Sequence, residues 1–161
     1  MINFPNQLKN GDFRFIKIRP ESKLPAEKGW NKTKNYPYTS VILAKYMVED
    51  NIYGVATGTG NLIVLDCDLR LMERIAIEKL PPTFKVRTPG NGCHLYYICP
   101  DFPKTKLLKH PIIEDLKGAP LHLGEIRSIG SEVVGPGSFN AKKGKYYLVE
   151  DNIEIAQINT K

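Results

Sequence analysis

Leu62-Ile63-Val64-Leu65-Asp66-Cys67-Asp68 is the stretch on which the fold turns. Four consecutive apolar residues read as a buried strand, and two carboxylates follow, one residue apart. Side chains alternate faces along a strand, so Asp66 and Asp68 point one way and Cys67 the other. Two like charges at the end of a hydrophobic strand repel each other and lose hydration if they are buried. A divalent cation makes such a pair favourable, because Mg²⁺ and Mn²⁺ take oxygen ligands and leave positions open for phosphate. A plain strand ending in solvated aspartates has the same sequence, so the pair needs partners elsewhere in the chain.

Upstream, Tyr53-Gly54-Val55-Ala56-Thr57 reads as a strand and Gly58-Thr59-Gly60-Asn61 as a turn, from which the aspartate strand returns as a hairpin. The turn lacks the spacing of a phosphate-binding loop and leads into no helix. Phe13 to Ile18 alternates as a further strand, and Thr39 or Ser40 caps a helix that runs to about Glu49. Downstream, Leu71 to Leu80 reads as a helix stopped by Pro81-Pro82. Thr83 to Thr88 and Cys93 to Cys99 form a hairpin around Pro89-Gly90-Asn91-Gly92. Asp101 to Pro120 is polar and carries no clear period. Leu121 to Arg127 alternates, Glu132-Val133-Val134 is a short strand, and Lys145 to Val149 reads as the last one, followed by a tail. The sum is an α+β domain of antiparallel hairpins flanked by a few helices.

The chain of 161 residues is expected to form one domain, residues 1–161, with 42% hydrophobic and 25% charged residues. No apolar run approaches the roughly 20 residues of a membrane span, and no signal peptide is expected. Cys67, Cys93 and Cys99 lack zinc-type spacing, so no structural zinc is expected, and an odd count of thiols suits a cytoplasmic protein. A net charge of +6 points to an anionic partner, with nucleic acid the commonest. Lysines cluster at Lys23, Lys28, Lys32 and Lys34, at Lys104, Lys106 and Lys109, and at Lys142, Lys143 and Lys145.

Two further segments supply partners for the aspartates. The turn Thr88-Pro89-Gly90-Asn91-Gly92 lets backbone N–H groups approach a phosphate and delivers His94, whose ring can donate to a phosphate oxygen. Cys93 points to the opposite strand face, which excludes a thiol–imidazole pair. Alternation in Leu121-His122-Leu123-Gly124-Glu125-Ile126-Arg127 places Glu125 and Arg127 together, with His122, Gly124 and Ile126 opposite. A carboxylate there can bind metal and a guanidinium can bind phosphate, although the two also suit an ordinary ion pair. His110 and His122 are read as structural. Three carboxylates, a histidine and an arginine at strand ends suit two-metal phosphoryl transfer.

The order of these motifs resembles the archaeo-eukaryotic primase superfamily, and more narrowly the primase–polymerase (prim-pol) domain of plasmid, viral and prophage replication proteins. Lys23-Leu24-Pro25 with Gly29-Trp30 resembles the family's opening loop. Tyr53 to Gly58 followed by Leu62 to Asp68 resembles its first catalytic hairpin, and Thr88 to Tyr97 its small-x-His strand. Glu125-Ile126-Arg127 through Glu132-Val133-Val134-Gly135-Pro136-Gly137-Ser138 resembles its third motif and Pro-Ser loop. Two positions depart from the pattern: Glu125 stands where Asp is usual, and Gly137 where a second proline is common.

The resemblance implies a two-lobed fold, an α/β lobe and a sheet lobe like the RNA-recognition motif, around a catalytic cleft. It implies that Asp66, Asp68 and Glu125 hold two Mg²⁺ or Mn²⁺ ions, and that His94 and Arg127 contact nucleotide phosphates. The implied activity is template-directed nucleotidyl transfer from dNTPs or NTPs on single-stranded or primed DNA. A fused or partner helicase is also implied, with this chain as the catalytic core of a longer protein or a small stand-alone enzyme. Extension is expected ahead of initiation, because the chain has neither a metal-type cysteine cluster nor room for a helical bundle. A metal-dependent nuclease and an inert single-strand-binding module are the alternatives.

Overall fold

The computed structural model describes residues 3–49, 51–102 and 104–160. Before the aspartate strand lie β1 (Arg14–Ile18), α1 (Val41–Val48) and β2 (Ile52–Ala56). The helix starts where the sequence reading puts it, since Ser40 Oγ accepts from the Leu43 backbone N–H at 3.3 Å. Its buried residues, Leu43 and Met47, are one turn apart and face β1 and β2. Next come β3 (Leu62–Cys67), α2 (Arg70–Lys79), β4 (Lys85–Arg87) and β5 (Cys93–Ile98), then β6 (Lys106–Glu114) and β7 (Pro120–Arg127). The chain ends with β8 (Glu132–Val134), β9 (Phe139–Asn140), β10 (Lys145–Tyr146), β11 (Leu148–Asp151) and β12 (Ala156–Gln157).

Among the described residues these strands form a small sheet, β1-β2-β8, a β9-β10 ribbon, and a larger sheet in the order β11-β4-β5-β3-β7-β6. A parallel pairing of β12 with β5 extends the larger sheet. The two faces of β3 divide the core. Leu62 and Val64 join Phe84, Val86 and Tyr96 in a cluster shared with the small sheet and α1. Ile63, Leu65 and Cys67 join Cys93, Leu95 and Tyr97 in a second cluster beneath α2, which contributes Ala76. Burial on both faces explains why β3 begins as an uninterrupted apolar run.

Two expectations are corrected, and the segment without a clear period is resolved. β2 and β3 are not a hairpin: β2 pairs with β1 and β8, whereas β3 pairs with β5 and β7. Gly58 (φ +83°) and Asn61 (φ +59°) adopt left-handed conformations that swing the chain from one sheet into the other. Residues 106–114 are a strand, although every side chain from Pro111 to Pro120 is exposed, which is why no alternation marks it. The segment Lys145 to Val149 is two strands rather than one. It changes partners at Tyr147, which is 5% exposed and whose N–H donates to Ser138 O at 2.9 Å.

Candidate active site

Strand register sets the site. On the larger sheet Val86, His94, Asp66, Glu125 and Leu107 lie in one row across five strands. Arg127 lies across from Val64, two residues along on the same face. That face is apolar where the small sheet covers it and polar beyond, so the row of charges begins where the core ends.

Two glycines fit the backbone to this arrangement. A Cβ on Gly92 would overlap the carbonyl oxygen of Cys67, and one on Gly124 the carbonyl oxygen of Asp66. Gly124 also has φ +151°, a conformation that L side chains rarely adopt. The end of β3 is therefore gripped from both sides by strands that approach closer than a side chain allows.

Asp66 receives two weak contacts. His94 Nε2 stands 3.5 Å from Oδ1, and Arg127 Nη2 stands 3.4 Å from Oδ2. Burial opposes ionisation of Asp66, but His94 and Arg127 outweigh it and hold the carboxyl below the ordinary carboxylate range. Arg127 Nε lies 2.9 Å from Glu125 Oε2, a charge contact without the alignment of a hydrogen bond. His94 is 5% exposed and its Nδ1 has no protein partner.

These groups open on a cavity of about 370 Å³, which lies within the range of small-molecule sites. Asp66, Asp68, His94 and Arg127 line it, and so does the Thr88-Pro89-Gly90 turn. Lys23 and Lys143 bring further positive charge to its wall. Glu125 is not part of the lining; it remains beside Arg127. Among the described residues no three His, Cys, Asp or Glu side chains converge closely enough to hold a metal ion without other ligands.

A family model described as "Bifunctional DNA primase/polymerase, N-terminal" matches residues 7–161. The chain belongs to this family. Membership points to DNA primase/polymerase function and, in general terms, to nucleotidyltransferase chemistry. No curated protein matches the chain. Among the described residues no helix of this primase/polymerase domain is long and apolar enough to cross a membrane.

Two residues in or beside this cavity are missed by strand alternation. His122 Nε2 stands 2.8 Å from Asp68 Oδ2, although strict alternation puts it on the far face. The β6–β7 register shifts between Leu108 and Lys109, leaving Leu123 as an extra residue between His122 and Gly124. Such a bulge inverts the facing of everything before it. Glu132 is the second. It begins β8 on the small sheet and lines the same cavity as Asp66. Its Oε2 is buried without a partner, and burial pushes the carboxyl up to about 7 against the pull of Arg127 and His94. The only sequence signal for it is an acidic residue directly before a buried Val-Val pair.

Proposed function

We propose that this chain is a DNA primase/polymerase that performs template-directed nucleotidyl transfer by a two-metal mechanism in plasmid, viral or prophage DNA replication. The observation that carries the reading is the convergence of Asp66, Asp68, His94 and Arg127 on one cavity. Two carboxylates beside basic groups match what a metal-bound triphosphate needs. Under this reading the small sheet and the larger sheet correspond to the two lobes of the prim-pol fold.

Asp66 and Asp68 fit a divalent cation. Both offer oxygen ligands to the same cavity, and the contacts that now occupy Asp66 are long and readily exchanged. Mg²⁺ is commonly held by one or two carboxylates plus substrate phosphates rather than by an all-protein cage, so a third converging side chain is not required. Glu125 would join the ligand set by leaving Arg127. When bound, the ions would supply neutralisation of the triphosphate and a lowered pKa at the attacking 3′-hydroxyl.

The other roles belong to the chain itself. Arg127, placed between Asp66 and Glu125, is poised to exchange a carboxylate partner for a phosphate oxygen. His94 offers a buried ring at the cavity wall for a second phosphate contact. The Thr88–Gly92 turn presents backbone close to the same space. Lys23 and Lys143, with the exposed Lys104, Lys106 and Lys109 beyond, would follow a template backbone and make affinity fall steeply with salt.

The test is extension of a primed DNA template with dNTPs or NTPs and Mg²⁺ or Mn²⁺. The wild type should extend the primer, and a double Asp66→Ala, Asp68→Ala variant should not. Full extension by that variant would sink the reading. Cleavage of labelled DNA without nucleotides would favour a nuclease instead.

A further inference from the structure

The ribbon of β9 and β10 carries surface features that the cavity chemistry does not use. Among the described residues, two aromatic side chains stand clear of the core, Phe139 at 40% and Tyr146 at 54% exposed, while every other ring is buried more deeply. The two are register partners across the ribbon, with ring centroids 4.8 Å apart and an angle of 54° between planes. A cross-strand contact of this kind helps a two-stranded ribbon hold together. It does not account for the apolar surface that both rings leave to water, which is unfavourable at each.

The charge around the rings is of one sign. Between Glu132 and Glu150 the chain has no acidic residue, and the turn of the ribbon reads Ala141-Lys142-Lys143-Gly144-Lys145. Lys142, Lys143 and Lys145 are exposed, and among the described residues none of them is in an ion pair. Glu150, the next carboxylate along the chain, is already held by Arg87. Uncommitted cations beside exposed rings fit a polyanion that carries flat apolar groups, which is the chemistry of a nucleic acid strand. An apolar protein surface would leave the lysines without a purpose, and a duplex would use the lysines without the rings. The bases must be unpaired, because in a duplex each base face is covered by its neighbours.

The ribbon also lies where such a strand would be of use. Asn140 and Lys143 line the cavity, and Tyr147, directly after Tyr146, places its ring 5.9 Å from that of His94. Phe139 and Tyr146 are outside the lining, on the ribbon face opposite that of Asn140. The lysine turn joins the two places. Lys143 Cε comes within 3.8 Å of where a Cβ on Gly90 would stand, so its side chain spans from the ribbon to the Thr88–Gly92 turn.

We infer that the β9–β10 ribbon is a platform for single-stranded nucleic acid, on which Phe139 and Tyr146 stack with unpaired bases while Lys142, Lys143 and Lys145 hold the phosphates, and that the strand so held is the template just outside the cavity. The template role rests on the reading of the cavity as a primase/polymerase site; the binding does not. Stacking tolerates any base, because every base has a π-face, so the grip suits a template of any sequence.

Binding of a fluorescein-labelled oligothymidylate to the full chain is measured by anisotropy without metal or nucleotide, beside the same strand paired with its complement. A double Phe139→Leu, Tyr146→Leu variant keeps the apolar contact across the ribbon and removes the π-faces. It should bind the single strand about 10- to 100-fold more weakly than wild type and the duplex equally well. A double Phe139→Trp, Tyr146→Trp variant should bind the single strand at least as tightly as wild type. Lys142→Gln with Lys145→Gln should reduce the slope of log affinity against log salt by about 1.4. Unchanged single-strand affinity in the leucine variant overturns the inference, as does a loss that falls equally on the duplex. Should that variant fail to fold, Phe139→Trp alone decides: emission quenched by the strand beyond the wild-type response supports stacking, and no added quenching overturns it. In primer extension the leucine variant should need more template for half-maximal rate at an unchanged KM for nucleotide, and an unchanged template requirement removes the template role. Normal extension with a failed binding test removes this inference alone. Ribbon-dependent binding without any extension by the wild type removes the functional reading and leaves the platform standing.

Discussion

The larger sheet carries a charged cluster on each face, and the two are built on opposite principles. On the face under α2, Glu73 clasps Arg87 with contacts of 2.6 and 2.7 Å. Arg87 also reaches Glu150 at 2.6 and 3.0 Å, and Lys85 reaches Asp151 at 2.9 Å. Arg87 Nη1 further donates to the carbonyls of Asn91 and Gly92, tying the cluster to the turn before His94. Across the sheet, Asp66 meets His94 and Arg127 at 3.5 and 3.4 Å, while His94 Nδ1 and Glu132 Oε2 have no partner. The first cluster is complete and holds α2, β4 and β11 together. The second is incomplete in ways a ligand would finish. Saturation separates scaffold from site here, since charge and burial alone do not.

The strongest way to break this contrast is Asp66→Ala. It should lower primer extension by about 10³-fold or more, because it removes charge placed for the transferring group. Its effect on urea unfolding should be small, since its contacts are long. A large stability loss with activity intact would reverse the roles of the two faces. Glu73→Gln attacks the saturated cluster. It leaves the largely buried Arg87 and Lys85 with Glu150 and Asp151 as their remaining charged partners, and should cost about 2 to 3 kcal/mol in urea unfolding.

Glu132→Gln sharpens the comparison through pH. Glu132 titrates near 7 when folded and near the ordinary 4.5 when unfolded, so the folded chain holds the extra proton between those values. The stability supplied by the neutral acid is complete below pH 4.5 and is lost as pH rises through 7. The glutamine variant should therefore be more stable than wild type by about 3 kcal/mol at pH 8 and equal to it at pH 4. Thermal unfolding at the two pH values checks this, and an unchanged difference would show that Glu132 is already paired. The smallest effect is expected from His122→Ala. Its contact with Asp68 is between side chains 44% and 49% exposed, so unfolding should shift by less than about 1 kcal/mol.

The parts of the molecule legible in the sequence are those governed by period two. Asp66 and Asp68 share the cavity, His94 faces it, Cys93 turns away, and Glu125 stands beside Arg127, all as alternation requires. What escapes is set by departures from that period or by sheets meeting in space. The bulge at Leu123 carries His122 to Asp68, and nothing in Leu121-His122-Leu123-Gly124 announces an extra residue except the glycine. The left-handed turn at Gly58 and Asn61 reads equally well as a hairpin or a change of sheet. Glu132 is ordinary until the small sheet is laid over the larger one, which is a tertiary fact. Lys106–Glu114 pairs with β7 at the sheet's open edge, where its side chains are exposed or at most half-buried, so no apolar alternation identifies it.

The pinch on β3 by Gly92 and Gly124 has an evolutionary consequence. A methyl group at either position would press on the main chain that carries the two aspartates. A lineage could exchange many cavity side chains and keep this shape, but it could not enlarge those glycines without moving the carboxylates. The two glycines and the Asp66–Asp68 pair should therefore be inherited and lost together, and a descendant that has drifted at the glycines should be one that has abandoned the chemistry.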